Sequence, residues 1–334
     1  MRVLRAWLGA AISVVALFLA FRGVDVGGVW RSLLEANYLW LVLAVALVCA
    51  SIVVRALRWW ALFADPGRVP WRGLFGILNV GYLLNNLLPL RAGELARVVL
   101  LGQVEHVAPA EGLSTIVVER VVDTLAVVLL LGAVAPFVPV PHSAVRPVVA
   151  LAVAMLALAL VLLLIAARRA AALRLVAWSA RILPARFRTP ALTHADAAID
   201  GLAALRSPRA AAEVGALTAL VYALLGAAMV APLAAFHLRL SPAGPWFLLA
   251  AATLGLVIPS SPGAVGVWEG VVIATLTAIF SVERSLATGI ALVSHVVFFA
   301  PPMFFGAVYL WRLGMSWSRL LGLRQAQPQT EIGS

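Results

Sequence analysis

The segment Trp71–Leu101, WRGLFGILNVGYLLNNLLPLRAGELARVVLL, decides how the rest of the chain must be read. It is apolar almost throughout, yet it is interrupted at Leu88-Pro89-Leu90-Arg91-Ala92-Gly93. Proline removes a backbone donor and glycine loosens the chain, so a helix arriving from Trp71 has to stop there and another has to start. A comfortable bilayer crossing takes about 20 apolar residues, more than either half supplies. Segment 243–281 has the same plan, with its break at Pro259-Ser260-Ser261-Pro262-Gly263-Ala264-Val265-Gly266. Irregular backbone at membrane depth is tolerated only inside protein or beside a water-filled cavity. Both segments are therefore predicted to be re-entrant helical hairpins, each entering and leaving on one side.

Composition supports a membrane setting. Of 334 residues, 63% are hydrophobic and 12% charged, and mean hydropathy is +1.04. Soluble domains run at roughly 45–50% apolar and about 25% charged. Full-length apolar runs occur at 3–21, 38–60, 113–135, 146–166, 211–236 and 285–311. The fold expected is thus an all-α polytopic membrane protein with about six full spans and two broken hairpins. Tyr38, Trp40, Trp59, Trp60, Trp311 and Trp317 sit at run ends, where aromatic belts meet headgroups. The N-terminal run lacks a clean cleavage site before Arg22 and reads as a first span rather than a signal peptide.

The net charge of +11 comes entirely from arginine. Its placement in loops argues for membrane orientation and against nucleic acid as a partner. With the N-terminus inside, arginines 2, 5, 55, 58, 68, 72, 168, 169, 174, 181, 186, 188, 206, 209, 312, 319 and 324 fall inside, which is 17. Arginines 22, 31, 146, 239 and 284 fall outside, which is 5. That bias predicts both termini to be cytoplasmic.

In that orientation, residues 1–139 and 140–312 each read span, span, hairpin, span, starting from opposite faces. An inverted-topology repeat is expected, a plan that recurs in transporters. Pro89-Leu-Arg-Ala-Gly-Glu94 faintly echoes Pro262-Gly-Ala-Val-Gly-Val-Trp-Glu269. The arginine-rich stretch 167–210 reads either as an amphipathic helix on an anionic membrane face or as a plain cytoplasmic loop, and 313–334 as a polar tail. The single Cys49 allows no internal disulfide, and the scattered histidines form no metal set.

Ionisable groups at membrane depth are costly and mark function. Here they gather at the breaks: Arg91, Glu94 and Arg97 in the first hairpin, Glu119, Arg120 and Asp123 in the following span, and Glu269 after the second turn. Glu94 and Arg97 are three residues apart and Glu119 and Asp123 four, so each pair shares a helix face. The helix starts after Leu88–Gly93 and Pro262–Gly266 are expected to offer free N–H groups, and the arginines forked donors suited to phosphate. Asn79, Asn85, Asn86, Ser260 and Ser261 complete a neutral lining. Plainer readings stand beside these: structural ion pairs, Asn85 and Asn86 as helix caps, Pro/Gly kinks, and His295 as a packing residue rather than a relay. No nucleophile motif, phosphate loop or cofactor signature is visible, so no catalytic residue, metal or cofactor is assigned.

Three motifs in order carry a resemblance. They are Asn85-Asn-Leu-Leu-Pro-Leu-Arg-Ala-Gly-Glu94-Leu-Ala-Arg97, Glu119-Arg-Val-Val-Asp123 and Pro259-Ser-Ser-Pro-Gly-Ala-Val-Gly-Val-Trp-Glu269. With Arg55-Ala-Leu-Arg58-Trp-Trp, they resemble the flippase-like membrane domain of lysylphosphatidylglycerol synthases over roughly residues 5–312. The family pattern usually has glycine where this chain has Ala264. No polar, domain-sized segment follows residue 312, so the resemblance implies lipid handling without lysyl transfer. The function expected is transport of an anionic, phosphate-bearing amphiphile between leaflets of a bacterial cytoplasmic membrane. Partners would be anionic or polyprenyl-phosphate lipids and a separate synthase. The alternative is a membrane-embedded transferase or accessory protein acting on a lipid-linked substrate.

Overall fold

The computed structural model describes residues 25–63, 65–88, 92–139, 150, 153–154, 156–157, 160–161, 164–165, 167–180, 184–200, 202, 207–256 and 262–314. Among them, every regular element is helical. The predicted span 3–21 and most of 146–166 and of the 313–334 tail lie outside the described residues.

Among the described residues, three helices are long and apolar enough to cross a bilayer: α2 (Leu39–Ala61), α8 (Pro208–Ala235) and α11 (Arg284–Arg312). Short helix α1 (Val26–Glu35) precedes α2, with Asp25 accepting from the Gly27 N–H at 2.9 Å as its cap. Helix α2 buries a stripe of Ala44, Val48, Ile52, Ala56 and Trp59, the helical spacing of a packed face. Its other face is also apolar: Leu39 is 78% exposed and Val42 68%. A soluble helix would carry polar residues there. Lipid is the solvent that fits, and the chain is a multi-pass membrane protein.

Both broken segments are helix–break–helix hairpins. In the first, α3 (Trp71–Leu87) and α4 (Ala92–Val104) have 17 and 13 residues and pack on each other. At 1.5 Å per residue they reach about 25 and 20 Å, short of a hydrocarbon core of about 30 Å. Glycine permits the close approach of the limbs. A Cβ at Gly93 would run into the Gly81 carbonyl oxygen, and one at Gly81 would lie 2.6 Å from Arg97 Cδ. In the second hairpin, α9 (Gly244–Gly255) and α10 (Val267–Ala278) have 12 residues each and likewise pack together. Gly263 at φ 73° and Gly266 at φ 87° supply the left-handed conformations of its turn.

Helix α5 (Pro109–Val134) is 26 residues long but carries Glu119, Arg120 and Asp123 at its middle. Stretch 167–210 holds two helices, α6 (Arg169–Ser179) and α7 (Ala185–Asp200), packed together with Arg169 Nη2 2.5 Å from Asp196 Oδ1. Leu175 and Trp178 of α6 are exposed, and α7 packs on α5.

Helices α2 and α8 pack along each other at the centre. Around them α3 packs on α11 as α9 does on α5, and α2 on α3 as α8 on α9. In the same way α4 packs on α5 as α10 does on α11, α2 on α11 as α8 on α5, and α1 on α11 as α7 on α5. Exchanging α1, α2, α3, α4 and α5 with α7, α8, α9, α10 and α11 maps these packings onto one another.

Candidate functional site

A charged cluster lies where α2, α4, α5 and α8 converge. The last turns of α2 deliver Arg55, Arg58 and Trp59; α4 delivers Glu94 and Arg97; α5 delivers Glu119, Arg120 and Asp123. Arg97 grips Glu119 with both nitrogens, Nη2–Oε2 at 2.6 Å and Nη1–Oε1 at 3.4 Å. Arg120 Nη2 also bonds Glu119 Oε1, and Arg58 Nη2 stands 3.8 Å from the same oxygen. Asp123 receives Arg58 Nη1 at 2.5 Å, Arg120 Nη2 at 3.4 Å and Arg55 Nη1 at 3.7 Å.

Burying one charge costs several kcal/mol, so each survives only with partners. Here every inner charge has more than one. The Arg97 guanidinium also stacks 4.0 Å over the Trp59 ring, a cation–π contact. Trp59 Nε1 is fixed by Thr115 Oγ1 at 3.1 Å, and Arg58 Nη1 donates to Thr218 Oγ1 at 3.3 Å. Tyr222 on α8 donates its hydroxyl to the Asp123 carbonyl at 3.2 Å, tying α8 to α5.

The cluster has an inside and an edge. Arg58, Arg97 and Glu119 have side chains no more than 2% exposed. At the edge the Arg120 side chain is 38% exposed and Glu94 30%, with Arg120 Nε 3.9 Å from Glu94 Oε1. Arg55 lies there too, its Nη1 3.4 Å from the Tyr82 hydroxyl. Four arginines face three carboxylates, leaving +1 among the described residues. The Nε atoms of Arg58, Arg97 and Arg120 are buried and have no hydrogen-bond acceptor among the described residues.

Several sequence-based expectations need correction. Glu94 and Arg97 share a helix but do not pair: Arg97 reaches α5, and Glu94 meets Arg120. Arg55 and Arg58, counted as loop arginines, are part of the buried cluster, which reduces the inside count from 17 to 15. Glu269 pairs with no described arginine. Its Oε2 accepts from the Gly266 N–H at 2.7 Å and its Oε1 lies 2.6 Å from His295 Nδ1. Asn85 is a cap rather than a free lining group, accepting from the Gly93 N–H at 2.9 Å. One N–H at each hairpin restart, that of Gly93 and that of Gly266, is thus already taken. Asn79 and Asn86 turn their amide nitrogens to the carbonyls of Phe75 and Tyr82 one helical turn back. Pro89, Arg91, Pro259, Ser260 and Ser261 lie outside the described residues; Pro262 opens the second turn.

The second turn meets the C-terminal end of α3. The 262–264 turn packs against α3, where a Cβ at Gly263 would lie 3.6 Å from the Asn86 carbonyl oxygen. Residues 6–306 match the lysylphosphatidylglycerol synthase transmembrane region. The chain belongs to that family. The match takes in both hairpins and every charge of the cluster, and membership ties the chain to membrane-lipid function. No curated protein and no solved structure matches the chain. Arg55, Arg58, Tyr82, Thr218 and Tyr222 went unassigned from sequence. For the two arginines the signal was present, since both fall inside the apolar run 38–60.

Proposed function

We propose that the chain is a lipid flippase or transporter that moves an anionic, phosphate-bearing amphiphile between leaflets of a bacterial cytoplasmic membrane. The observation that carries this reading is the surplus of guanidinium over carboxylate in a buried cluster with an accessible edge. Arg120 and Arg55 with Tyr82 would meet the phosphate, while Glu119 and Asp123 hold the arginines when no lipid is bound. Arg58 and Arg97 position that edge from inside, and lipid tails stay in the bilayer throughout. The paired packings of the two halves support an inverted repeat with re-entrant hairpins, in which a pseudo-two-fold axis relates the halves around one site. On this reading both termini are cytoplasmic, no bond is made or broken in the lipid, and a separate synthase supplies it.

The test is leaflet exchange of labelled lipids in liposomes containing the purified protein. The lipids are phosphatidylglycerol, its aminoacyl form and a polyprenyl phosphate; Arg120→Ala and Arg55→Ala are the comparisons. Exchange of one lipid that both variants lose is the expected result. Absence of exchange for all three lipids, from folded protein, would sink the transport reading in favour of a transferase acting on a lipid-linked substrate.

A further inference from the structure

The Glu269–His295 pair stands apart from the arginines and has a geometry of its own. Glu269 is in the first turn of α10, and its two carboxylate oxygens do different things. Oε2 holds the Gly266 N–H at 2.7 Å; Oε1 lies 2.6 Å from His295 Nδ1 on α11. The side chains are 5% and 14% exposed. Phe299 packs on the imidazole with ring centroids 4.3 Å apart, and Trp268 lies beside it with Nε1 donating to Ser294 Oγ at 3.1 Å. Such a 2.6 Å contact requires a proton between the two groups, carried by Nδ1 when the ring is neutral.

Among the described residues, no other charged group pairs with Glu269 or His295. Helix α9, packed on α10, has no ionisable residue. Of the helices packed on α11, α1 carries Arg31 and Glu35, α2 Cys49, Arg55 and Arg58, α3 Arg72 and Tyr82, and α8 Arg209, Glu213 and Tyr222. None of these pairs with Glu269 or His295. Arg284, Tyr309 and Arg312 of α11 itself are eleven, fourteen and seventeen residues away, or about 16, 21 and 25 Å along the axis.

The turn that Glu269 holds is strained. Gly263, Ala264 and Gly266 all have positive φ, and Ala264 at 54° is not a glycine. An L-residue there costs on the order of 1–2 kcal/mol, so the turn keeps its shape only while something holds it. The bond from Gly266 to Glu269 does that.

We propose that Glu269 and His295 form a proton-binding site whose occupancy sets the shape of the Pro262–Gly266 turn, the proton being the ion coupled to lipid movement. The coupling clause rests on the transport function proposed above; the proton site does not. With the site empty, the neutral imidazole donates Nδ1–H to Oε1, Nε2 carries a lone pair, and the pair has charge −1. A proton from water bonds to Nε2 and brings the pair to zero. The imidazolium then draws the carboxylate and weakens its hold on the Gly266 N–H, so the turn loosens. Because that turn rests on α3 beside Asn86, the change passes to the first hairpin.

The experiment labels Val265→Cys, an exposed position in the turn, in a Cys49→Ser background between about pH 5 and about pH 8, where imidazoles titrate. Faster labelling at the acid end, by roughly threefold or more, is expected. In His295→Asn, whose amide keeps a donor toward Glu269 but takes no proton, the rate should become independent of pH. Glu269→Gln is the second variant, expected to be flat as well. A flat profile in the parent, or a pH response that survives in His295→Asn, overturns the proton site even if lipids exchange normally. A pH response confined to the parent, in protein that exchanges no lipid, upholds the site and removes the coupling.

Discussion

Arg97 and Glu119 join the first hairpin to the helix after it through two nitrogen–oxygen contacts, 2.6 and 3.4 Å long, between side chains no more than 2% exposed. Removing one partner leaves the other charged and buried. Arg97→Ala should therefore cost about 3–5 kcal/mol. Arg120→Ala, taken from an edge position 38% exposed, should cost about 1 kcal/mol or less. Thermal unfolding in detergent, followed by tryptophan fluorescence, checks the order; equal losses would remove the distinction between inside and edge.

Lipid exchange should depend directly on the arginines at the edge. Arg120→Ala and Arg55→Ala are expected to lower lipid exchange by roughly tenfold or more while the protein remains folded, as loss of a charge-assisted contact worth about 1.5–3 kcal/mol implies. Arg120→Lys keeps the charge but not the fork, and should recover only part of the rate. Initial exchange rates in liposomes with matched protein content measure this.

The closeness of the hairpin limbs gives a steric prediction. Gly93→Ala puts a methyl group into the Gly81 carbonyl and 2.7 Å from Asn85 Oδ1. A loss of about 1–3 kcal/mol is expected, as for other overpacked sites. Gly132→Ala on α5, with nothing within 4 Å of the new methyl, should be neutral or stabilising, since alanine is the better helix former. Melting temperatures of the two variants provide the comparison.

Outside the membrane-spanning part, Glu283 caps α11 by accepting the N–H groups of Ser285 and Leu286, each at 2.9 Å. Those two bonds hold its carboxyl below the usual range. A depressed folded-state value means the stabilisation is present above the unfolded value, about 4.3 for glutamate, and is lost as pH falls through the folded one. Glu283→Ala should cost about 1 kcal/mol at neutral pH. Unfolding midpoints of parent and variant should converge below about pH 4.

Signals carried by neighbouring residues are legible in the sequence, and those that depend on helix pairing are not. Helix α3 ends at Leu87 and α4 begins at Ala92, and α9 ends at Gly255 and α10 begins at Val267, so the Pro/Gly-rich stretches do fall between helices, although Gly93, expected at the break, lies in the first turn of α4. The faces shared by Glu119 and Asp123 also follow from spacing, and Arg58 and Arg120 each reach both carboxylates. Glu94 and Arg97 share a face too, yet Arg97 finds a better acceptor on α5. Spacing rules describe one helix alone, and the competing carboxylate arrives 22 residues later. His295 read as a packing residue because its partner is 26 residues away on another helix. Its contacts with Phe299 show that the packing reading held as well.

Helix α5 has a consequence for biogenesis. Glu119, Arg120 and Asp123 at its centre each oppose entry from the translocon by about 2.5–3.5 kcal/mol. Leaving the ribosome alone, α5 would be a poor stop for the insertion machinery. What offsets that penalty, Arg58 on α2 and Arg97 on α4, has been synthesised earlier in the chain. The first half is therefore expected to enter lipid as a group, with the helices already delivered acting as counter-ions for the one that follows.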